Sequence, residues 1–374
     1  MIENVDRKDI TSVHDCWMQR CIDLAKQGRG QTAPNPLVGS VIIKNGQVLG
    51  EGFHPKAGEP HAEVFAIRAA QQTGADLSDA TLYVNLEPCN HYGRTPPCSE
   101  AIIQAGIGKV VVGAIDVDPR VAGAGCDRLR AAGIQVTTGI LEQQCLELNE
   151  AFFYRVKTNL PLGIFKYAMT LDGKIATISG HSYWITGQES RQFVRDLRLG
   201  CDAIITGGNT VRLDNPHLTT HGLSKHCPLR VVVTKSFNLP EEANLWNVTD
   251  AEKTLVMTLP HQNTQLKQKL SDRHVEILEL EDLSPQIVMQ ELASRGFNQV
   301  LWECGGKLGS VAIKAQMVQK IYAFIAPKLI GGFMAPSPID DLGFNLMTEA
   351  IQLNQPQLRQ IGTDFLIIGN LYRL

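Results

Sequence analysis

At 374 residues, with 44% hydrophobic and 20% charged side chains, the chain has the composition of a globular protein and is too long for one average domain. Its formal net charge of -3 at pH 7 gives no footprint for nucleic acid, which needs clustered basic surface; the densest basic group, Arg191, Arg195 and Arg198, is diluted by Glu189 and Asp196. The first residues, Met-Ile-Glu-Asn-Val-Asp-Arg-Lys-Asp, are acidic rather than apolar and do not read as a secretory signal, and no apolar run approaches the ~18 residues that would suggest a membrane span. Nine mostly isolated cysteines, an odd number, are no disulfide framework, so a cytoplasmic chain with reduced thiols is expected.

Val13, Trp17, Cys21 and Leu24 recur at helical spacing and predict a helix over 12–27. Two strands follow, 37–44 and 47–53, joined by Asn45-Gly46, a strong two-residue hairpin signal. The pattern then predicts helix 62–72, strand 81–86, helix 99–105, strand 109–114, helix 128–132 and strand 135–138. This alternation implies an α/β layer with parallel strands. A Glu- and Gln-rich helix spans about 140–160 and stops before Pro161. The domain boundary is placed near 148–160, dividing residues 1–150 from 151–374. The second half alternates strands at 162–169, 203–206, 229–234, 254–258, 275–278, 299–302 and 320–325 with helical or polar stretches. A final strand pair is expected over 365–368 and Leu371-Tyr372.

The strongest chemical signal is Pro60-His61-Ala62-Glu63 at a loop-to-helix junction, followed by Glu87-Pro88-Cys89 after a strand and Pro97-Cys98 opening a helix. One imidazole and two thiolates suit zinc, and three protein ligands leave a fourth tetrahedral position open, as in catalytic rather than structural sites. Zinc in such a site can bring the pKa of bound water to about 7. Glu63 is the natural acid/base. The H-x-E pattern followed by P-C-x-x-C is a known signature of zinc deaminases; here the cysteines stand nine apart. A fourth protein ligand from Cys126 or His91 would instead make the site structural. His91 and Arg94, between the cysteines, and Asn35, between Pro34 and Pro36, are placed to contact a polar or anionic substrate.

Beyond residue 160, Gly207-Gly208-Asn209-Thr210 and Glu303-Cys304-Gly305-Gly306-Lys307-Leu308-Gly309 each follow a strand. Glycines there let backbone amides approach phosphate, and open α/β sheets bind ligands at the carboxyl ends of their strands. Neither run is G-x-G-x-x-G, so no Rossmann motif is present. The residues alone stop at a cofactor bearing phosphate.

In combination, Pro34-Asn35-Pro36-Leu37-Val38-Gly39, His61-Ala62-Glu63 and the Cys89-to-Cys98 loop resemble the bifunctional riboflavin-biosynthesis deaminase/reductase family known as RibD. So do Lys166–Lys174, Ser182-Tyr183-Trp184-Ile185-Thr186, Asp214-Asn215-Pro216-His217-Leu218 and Glu303-Cys304-Gly305-Gly306, and the resemblance covers essentially the whole chain. It implies an α/β protein of two domains: a cytidine-deaminase-like three-layer domain, and a dihydrofolate-reductase-like domain that uses NADPH and forms a homodimer. It further implies that the first domain binds one zinc through His61, Cys89 and Cys98 and hydrolyses the 2-amino group of 2,5-diamino-6-(5-phosphoribosylamino)pyrimidin-4(3H)-one. The second then reduces the ribosyl group of the product to ribityl. By the same similarity Ala168, Trp184, Thr210, Asp214 and Gly305, Gly306, Lys307, Leu308 and Gly309 line NADPH. Ser182, Arg198, Leu218 and Glu303 face the reductase substrate, and Asn35, His91, Arg94 and Asp116 the deaminase substrate. The chain departs from the family pattern twice. His221 replaces an arginine near the substrate phosphate, shifting that contact toward Arg198 or Arg212 and making it pH-sensitive. Asp118 replaces an asparagine in Asp116-Val117-Asp118-Pro119, which loses an NH2 donor. The competing readings are a nucleic-acid-editing zinc deaminase with an accessory domain and a non-catalytic zinc module.

Overall fold

The structure, a computed structural model, describes residues 12–92, 96–118, 122–224 and 226–371. It divides into two compact units between Lys157 and Thr158. In the first unit, helix α1 (Val13–Ala25) starts at a capping box: Asp15 N–H donates to Ser12 Oγ, and Ser12 N–H to the Asp15 carboxylate. Strands β1 (Gly39–Lys44) and β2 (Gln47–Phe53) form a hairpin in which Asn45 and Gly46 take φ of 52° and 77°, as a type I′ turn requires. The chain continues through α2 (Ala62–Gln72), β3 (Thr81–Leu86), α3 (Cys98–Gln104), β4 (Lys109–Ala114), α4 (Ala124–Ala131) and β5 (Gln135–Thr138).

The sheet order is β2-β1-β3-β4-β5, with β1 antiparallel to both neighbours and β3, β4 and β5 parallel. The expected parallel layer is therefore interrupted by one opposed strand, because a two-residue turn can only return the chain antiparallel. Side chains alternate between two cores. Ile42, Val84 and Val112 face one side with Ile67 and Ile102, whereas Val41, Tyr83 and Val111 face the other with Met18 and Cys145. The result is the three-layer arrangement. Strand β2 lies so close to α2 that a Cβ on Gly52 would sit 2.5 Å from the Ala62 carbonyl. That approach fixes the start of α2, where His61 and Glu63 lie.

The single helix expected over 140–160 is two helices, α5 (Glu142–Leu148) and α6 (Glu150–Thr158). The break falls at Asn149, whose side chain is 2% exposed. Its Oδ1 accepts from Leu37 N–H at 2.8 Å and its Nδ2 donates to Leu37 O at 2.9 Å. Asn85 adds a second clamp, donating to Leu37 O at 3.0 Å and accepting from Gly39 N–H at 2.8 Å. Helical periodicity cannot reveal a residue that leaves the helix to serve another segment's backbone. Likewise α4 begins four residues before the expected Arg128, because the Glu87 carboxylate accepts from its Gly125 and Cys126 N–H groups.

The second unit contains β6 (Leu162–Thr170), α7 (Gln188–Leu199), β7 (Ala203–Gly207), α8 (Gly208–Asp214), β8 (Leu229–Thr234), β9 (Thr254–Thr258), α9 (Thr264–Asp272), β10 (Glu276–Glu279), α10 (Pro285–Ser294), β11 (Gln299–Trp302), α11 (Gly306–Lys314), β12 (Lys320–Ala326), β13 (Asn354–Ile361) and β14 (Asp364–Asn370). One sheet has the order β10-β9-β8-β7-β11-β6-β12-β14-β13. It is parallel from β10 to β12, and β14 is antiparallel to both neighbours. Phe165 and Trp302, both fully buried, centre the core. The closing strand pair is β13 with β14; Leu371 lies past it, and Tyr372 lies outside the described residues. Strand β13 is mostly exposed and polar, so it carries no apolar alternation to read. Among the described residues no helix is long and apolar enough to cross a membrane.

Asn149→Ala leaves the Leu37 N–H without its acceptor, at a cost of about 1–3 kcal/mol. Amide exchange over residues 37–39 is expected to accelerate roughly 10-fold or more while the α2 amides stay protected. Unchanged exchange at Leu37 would show that the clamp does not hold this loop.

Candidate active sites

His61 is the N-cap of α2 and Cys98 the first residue of α3, so two helix N-termini converge where β3 hands the chain to Cys89. His61 Nδ1 lies 3.6 Å from Cys89 Sγ and 3.3 Å from Cys98 Sγ, and the three ligand atoms all lie within 4.8 Å of one another. A tetrahedral zinc with ordinary Zn–N and Zn–S lengths would hold nitrogen and sulfur about 3.5 Å apart. The residues therefore fit the ion. No fourth ligand joins the group among the described residues: Cys126 is fully buried, with its N–H turned to Glu87. Cys98 N–H donates to Cys89 Sγ at 3.3 Å. Among the protein groups themselves, the Cys98 thiol and then His61 hold Cys89 toward the thiolate, against burial, while sharing its proton with Cys89 holds Cys98 toward the thiol.

Glu63 is 3% exposed, and its Oε2 has no hydrogen-bond partner. Burial pushes its carboxyl up to about 7, against the pull of His61. A cavity of about 520 Å³ opens beside it, lined also by Asn35, His54, His91, Asp116, Phe152 and Arg155. The side chains of Asn35, His91 and Asp116 thus share one space with the metal group; Arg94 lies outside the described residues.

Two supports of this site were not foreseen. His54 Nδ1 lies 3.0 Å from the Pro60 carbonyl, which can only accept, so Nδ1 carries the proton and Nε2 accepts from Asn35 Nδ2 at 3.0 Å. Burial lowers the His54 pKa, which favours this neutral form. Glu87, 6% exposed, accepts four backbone N–H bonds: from Asp116 (3.1 Å), Gly123 (3.0 Å), Gly125 (2.9 Å) and Cys126 (3.2 Å). It ties the end of β3 to the loop after β4 and to the start of α4. The only trace in the sequence is an acid directly before Pro88-Cys89. Asp116 accepts from Asp118 N–H at 2.9 Å, and burial raises its carboxyl pKa.

In the second unit the chain steps outward in opposite directions from β7 and β11, to β8 and to β12, which makes their shared boundary a switch point of the sheet. Gly207 and Gly305 lie on either side of it. A Cβ on Gly305 would meet only Thr210 Oγ1, at 3.9 Å, and one on Gly207 only Leu308 Cδ2, at 3.5 Å. This open cradle beneath the N-termini of α8 and α11 fits a phosphate-bearing cofactor. Gly306 and Gly309 have other reasons to be glycine: a Cβ would lie 2.7 Å from Ser337 O in one case and 2.6 Å from the Phe165 ring in the other. Residues 306–309, read as a loop, form the first turn of α11. Asp214, at the end of α8, accepts from Ser182 Oγ at 2.9 Å and, through its carbonyl, from Tyr183 OH. Trp184 is exposed and carries the Arg191 guanidinium 4.6 Å over its ring. Ala168 lies in β6, half-buried, and Lys307 in the first turn of α11.

Glu303 and Arg198 meet each other. Arg198 donates to both Glu303 oxygens at 2.9 Å and to Thr219 O at 2.9 Å, and Lys166 donates to Glu303 at 3.0 Å. Burial alone would raise the Glu303 carboxyl, but Arg198 and Lys166 hold it well below the usual range. Arg212 is turned to Asn238 O and Asn209. Leu218 is buried, with a left-handed φ of 53°. His221 is exposed, and its pKa is lowered by partial burial, by Arg195 and Arg198, and by His217.

Residues 161–367 match the family model of the RibD C-terminal domain, and residues 11–114 match the cytidine and deoxycytidylate deaminase zinc-binding region. The chain is 55% identical to riboflavin biosynthesis protein RibD of Synechocystis sp., over 95% of each. The chain belongs to the RibD family. Among solved structures, RibD of Acinetobacter baumannii matches with a TM-score of 0.83 at 38% identity, covering 96% of this chain and 98% of that one. A Thermotoga maritima protein, described as a diaminohydroxyphosphoribosylaminopyrimidine deaminase/5-amino-6-(5-phosphoribosylamino)uracil reductase, matches with a TM-score of 0.85 at 34% identity over the same shares. The two units are accordingly a zinc deaminase domain and a reductase domain, in an enzyme that is both hydrolase and oxidoreductase.

The raised Glu63 pKa sets a pH dependence for the metal-free protein. Below 4.5, the ordinary value, folded and unfolded chains both hold the proton. Between there and about 7 only the folded chain keeps it, so stability falls as pH rises, by about 3 kcal/mol in all. Urea unfolding of chelator-treated protein from pH 4.5 to 8 should show this fall, and Glu63→Gln should flatten it. Equal slopes for the two proteins would remove the buried, protonated carboxyl from the account.

Proposed function

We propose that the chain deaminates 2,5-diamino-6-(5-phosphoribosylamino)pyrimidin-4(3H)-one in its first unit and reduces the ribosyl group of the resulting uracil derivative with NADPH in its second. The observation that carries the first half is Glu63: a buried acid with a pKa near neutrality, beside a three-ligand metal group and a cavity wide enough for a pyrimidine. Zinc held by His61, Cys89 and Cys98 would supply Lewis acidity that activates water at neutral pH. Hydrolysis adds water to the ring carbon and breaks its bond to the exocyclic nitrogen, so a proton must pass from water to a ring nitrogen and to the departing ammonia. Glu63 can hold that proton and give it up at neutral pH. Asn35, fixed by His54, and Asp116, fixed through Glu87, present polar atoms to the base edge, which orients it against Glu63. His91, at the cavity edge, and Arg94 are read as further substrate contacts.

In the second unit NADPH would supply the hydride, and the chain supplies position. Gly207, Gly305 and Thr210 form the cradle for its phosphates, with Ala168, Trp184, Asp214 and the first turn of α11 read as the rest of that site. Lys166, in mid-β6, and Arg198, on α7, are pinned on Glu303 and hold positive charge at the carboxyl end of β11, with Ser182, Leu218 and His221 read as neighbouring substrate contacts. Phe333, Met334 and Met347 are 74–96% exposed, and such apolar exposure supports a homodimer through this unit. A cytoplasmic enzyme acting on small molecules, without nucleic acid or membrane, fits the near-neutral charge.

Supplied with the diaminopyrimidine ribotide, the enzyme is expected to release ammonia without NADPH and to consume NADPH only when substrate is present. Glu63→Ala should lower ammonia release by at least about 100-fold while zinc stays bound and the aminouracil ribotide is still reduced. Full ammonia turnover in that variant would remove Glu63 from the chemistry. Phe333→Glu should shift the sedimenting species from dimer to monomer, and an unshifted dimer would place the interface elsewhere.

A further inference from the structure

The deaminase cavity is lined by five carboxylic acids, Glu59, Glu63, Glu87, Asp116 and Asp118, and among its described lining residues by one permanent cation, Arg155. Three of the acids have partners of their own: Glu87 takes four backbone N–H groups, Glu59 lies 3.8 Å from Lys56 Nζ, and Asp116 takes the Asp118 N–H. The Arg155 guanidinium has neither a hydrogen bond nor an ion pair among the described residues. Its stem is half-buried, on the face of α6 that also carries Phe152 and Val156 to the cavity at helical spacing. Immediately before α6 stands Asn149, the clamp on Leu37 beside the base-reading Asn35. Six residues further on, Arg155 stands about 9 Å along the helix from the clamp. An unpaired arginine in an acid-lined cavity is an anion site on the substrate's side, not a charge used to build the fold. Its planar fork suits a phosphate better than any other side chain.

We infer that Arg155 anchors the phosphate of the deaminase substrate, at the end of the cavity away from the groups that read the base. The inference rests on the deaminase reading proposed above. It makes this segment a ruler: Asn149, just before α6, fixes the loop that orients the pyrimidine, and Arg155, within α6, fixes the far end of the pentose phosphate. It also assigns the preference for a ribotide over a riboside to one residue.

The test compares the ribotide with its dephosphorylated riboside in zinc-loaded, full-length enzyme carrying Arg155→Gln or Arg155→Lys. Loss of a charge-assisted phosphate contact is expected to lower the ratio of kcat/KM for ribotide over riboside by about 10–100-fold in Arg155→Gln, chiefly through KM, with Arg155→Lys recovering part of it. Where the riboside turns over too slowly to measure, ribose 5-phosphate serves as a competing probe, and its Ki should rise by the same factor. A ratio, or a Ki, within twofold of the wild type overturns the assignment to Arg155 and leaves the deaminase reading in place. Wild-type enzyme that releases ammonia from neither compound overturns that reading and this inference together.

Discussion

Two carboxylates at the carboxyl ends of central strands, buried Glu87 after β3 and half-buried Glu303 after β11, hold the candidate site of each unit in shape. A carboxylate taken out of water costs several kcal/mol unless its lone pairs are met, so whatever meets them is fixed in place. Glu87 is met by four backbone N–H groups from two other segments, which locks the Asp116 loop and the start of α4 to the strand that delivers Cys89. Glu303 is met by Arg198 and Lys166, which locks α7 and β6 to the strand that delivers the Gly305 turn. The solutions differ in what they leave for chemistry. Backbone amides satisfy Glu87 without adding a charged side chain to the site, whereas Glu303 concentrates two cations, which suits the anionic substrate proposed for the second unit.

Glu63 follows the opposite rule. It is as buried as Glu87, yet one oxygen has no hydrogen-bond partner, and the nearby histidine is turned to the cysteines. The same desolvation that makes Glu87 an organiser therefore pushes the Glu63 carboxyl up to about 7, which suits the proton-carrying role proposed for it. The difference lies in the local backbone. Glu63 is in the first turn of a helix whose amides point along its axis, while Glu87 extends past a strand end toward loops whose amides are free to turn to it.

Legibility from sequence follows the same physics. His61, Glu63, Cys89 and Cys98 could be read because a metal demands particular residue types at strand–helix junctions, whatever surrounds them. Most strands were placed within a residue or two because their burial imposes a period. Asn149 and Glu87 could not be read as clamps, since each serves backbone groups distant in the chain: 112 residues away for Asn149 and Leu37, and up to 39 for Glu87 and Cys126. A polar residue inside a helical pattern looks like surface until its partner is known. β13 escaped for the converse reason, because an exposed edge strand of Asn, Gln and Arg has no buried face. Arg155 sits in a helix with no buried residue, so only the cavity reveals its direction.

The glycine-rich turn after β11 shows how composition can overstate a ligand site. Gly305, Gly306 and Gly309 look alike in sequence, but the Ser337 carbonyl crowds one and the Phe165 ring another, so those two would be required with no cofactor at all. Only Gly305 faces open space, and it does so opposite Gly207 across the point where the sheet reverses its winding. The proposed phosphate cradle is thus a pair of glycines from two separate turns rather than one run of glycines. Neither turn could form it alone, because α8 and α11 bring their N-termini together only through the adjacency of β7 and β11. On the proposed reading the recognition element belongs to the sheet order, which accounts for a dinucleotide site without a contiguous nucleotide motif.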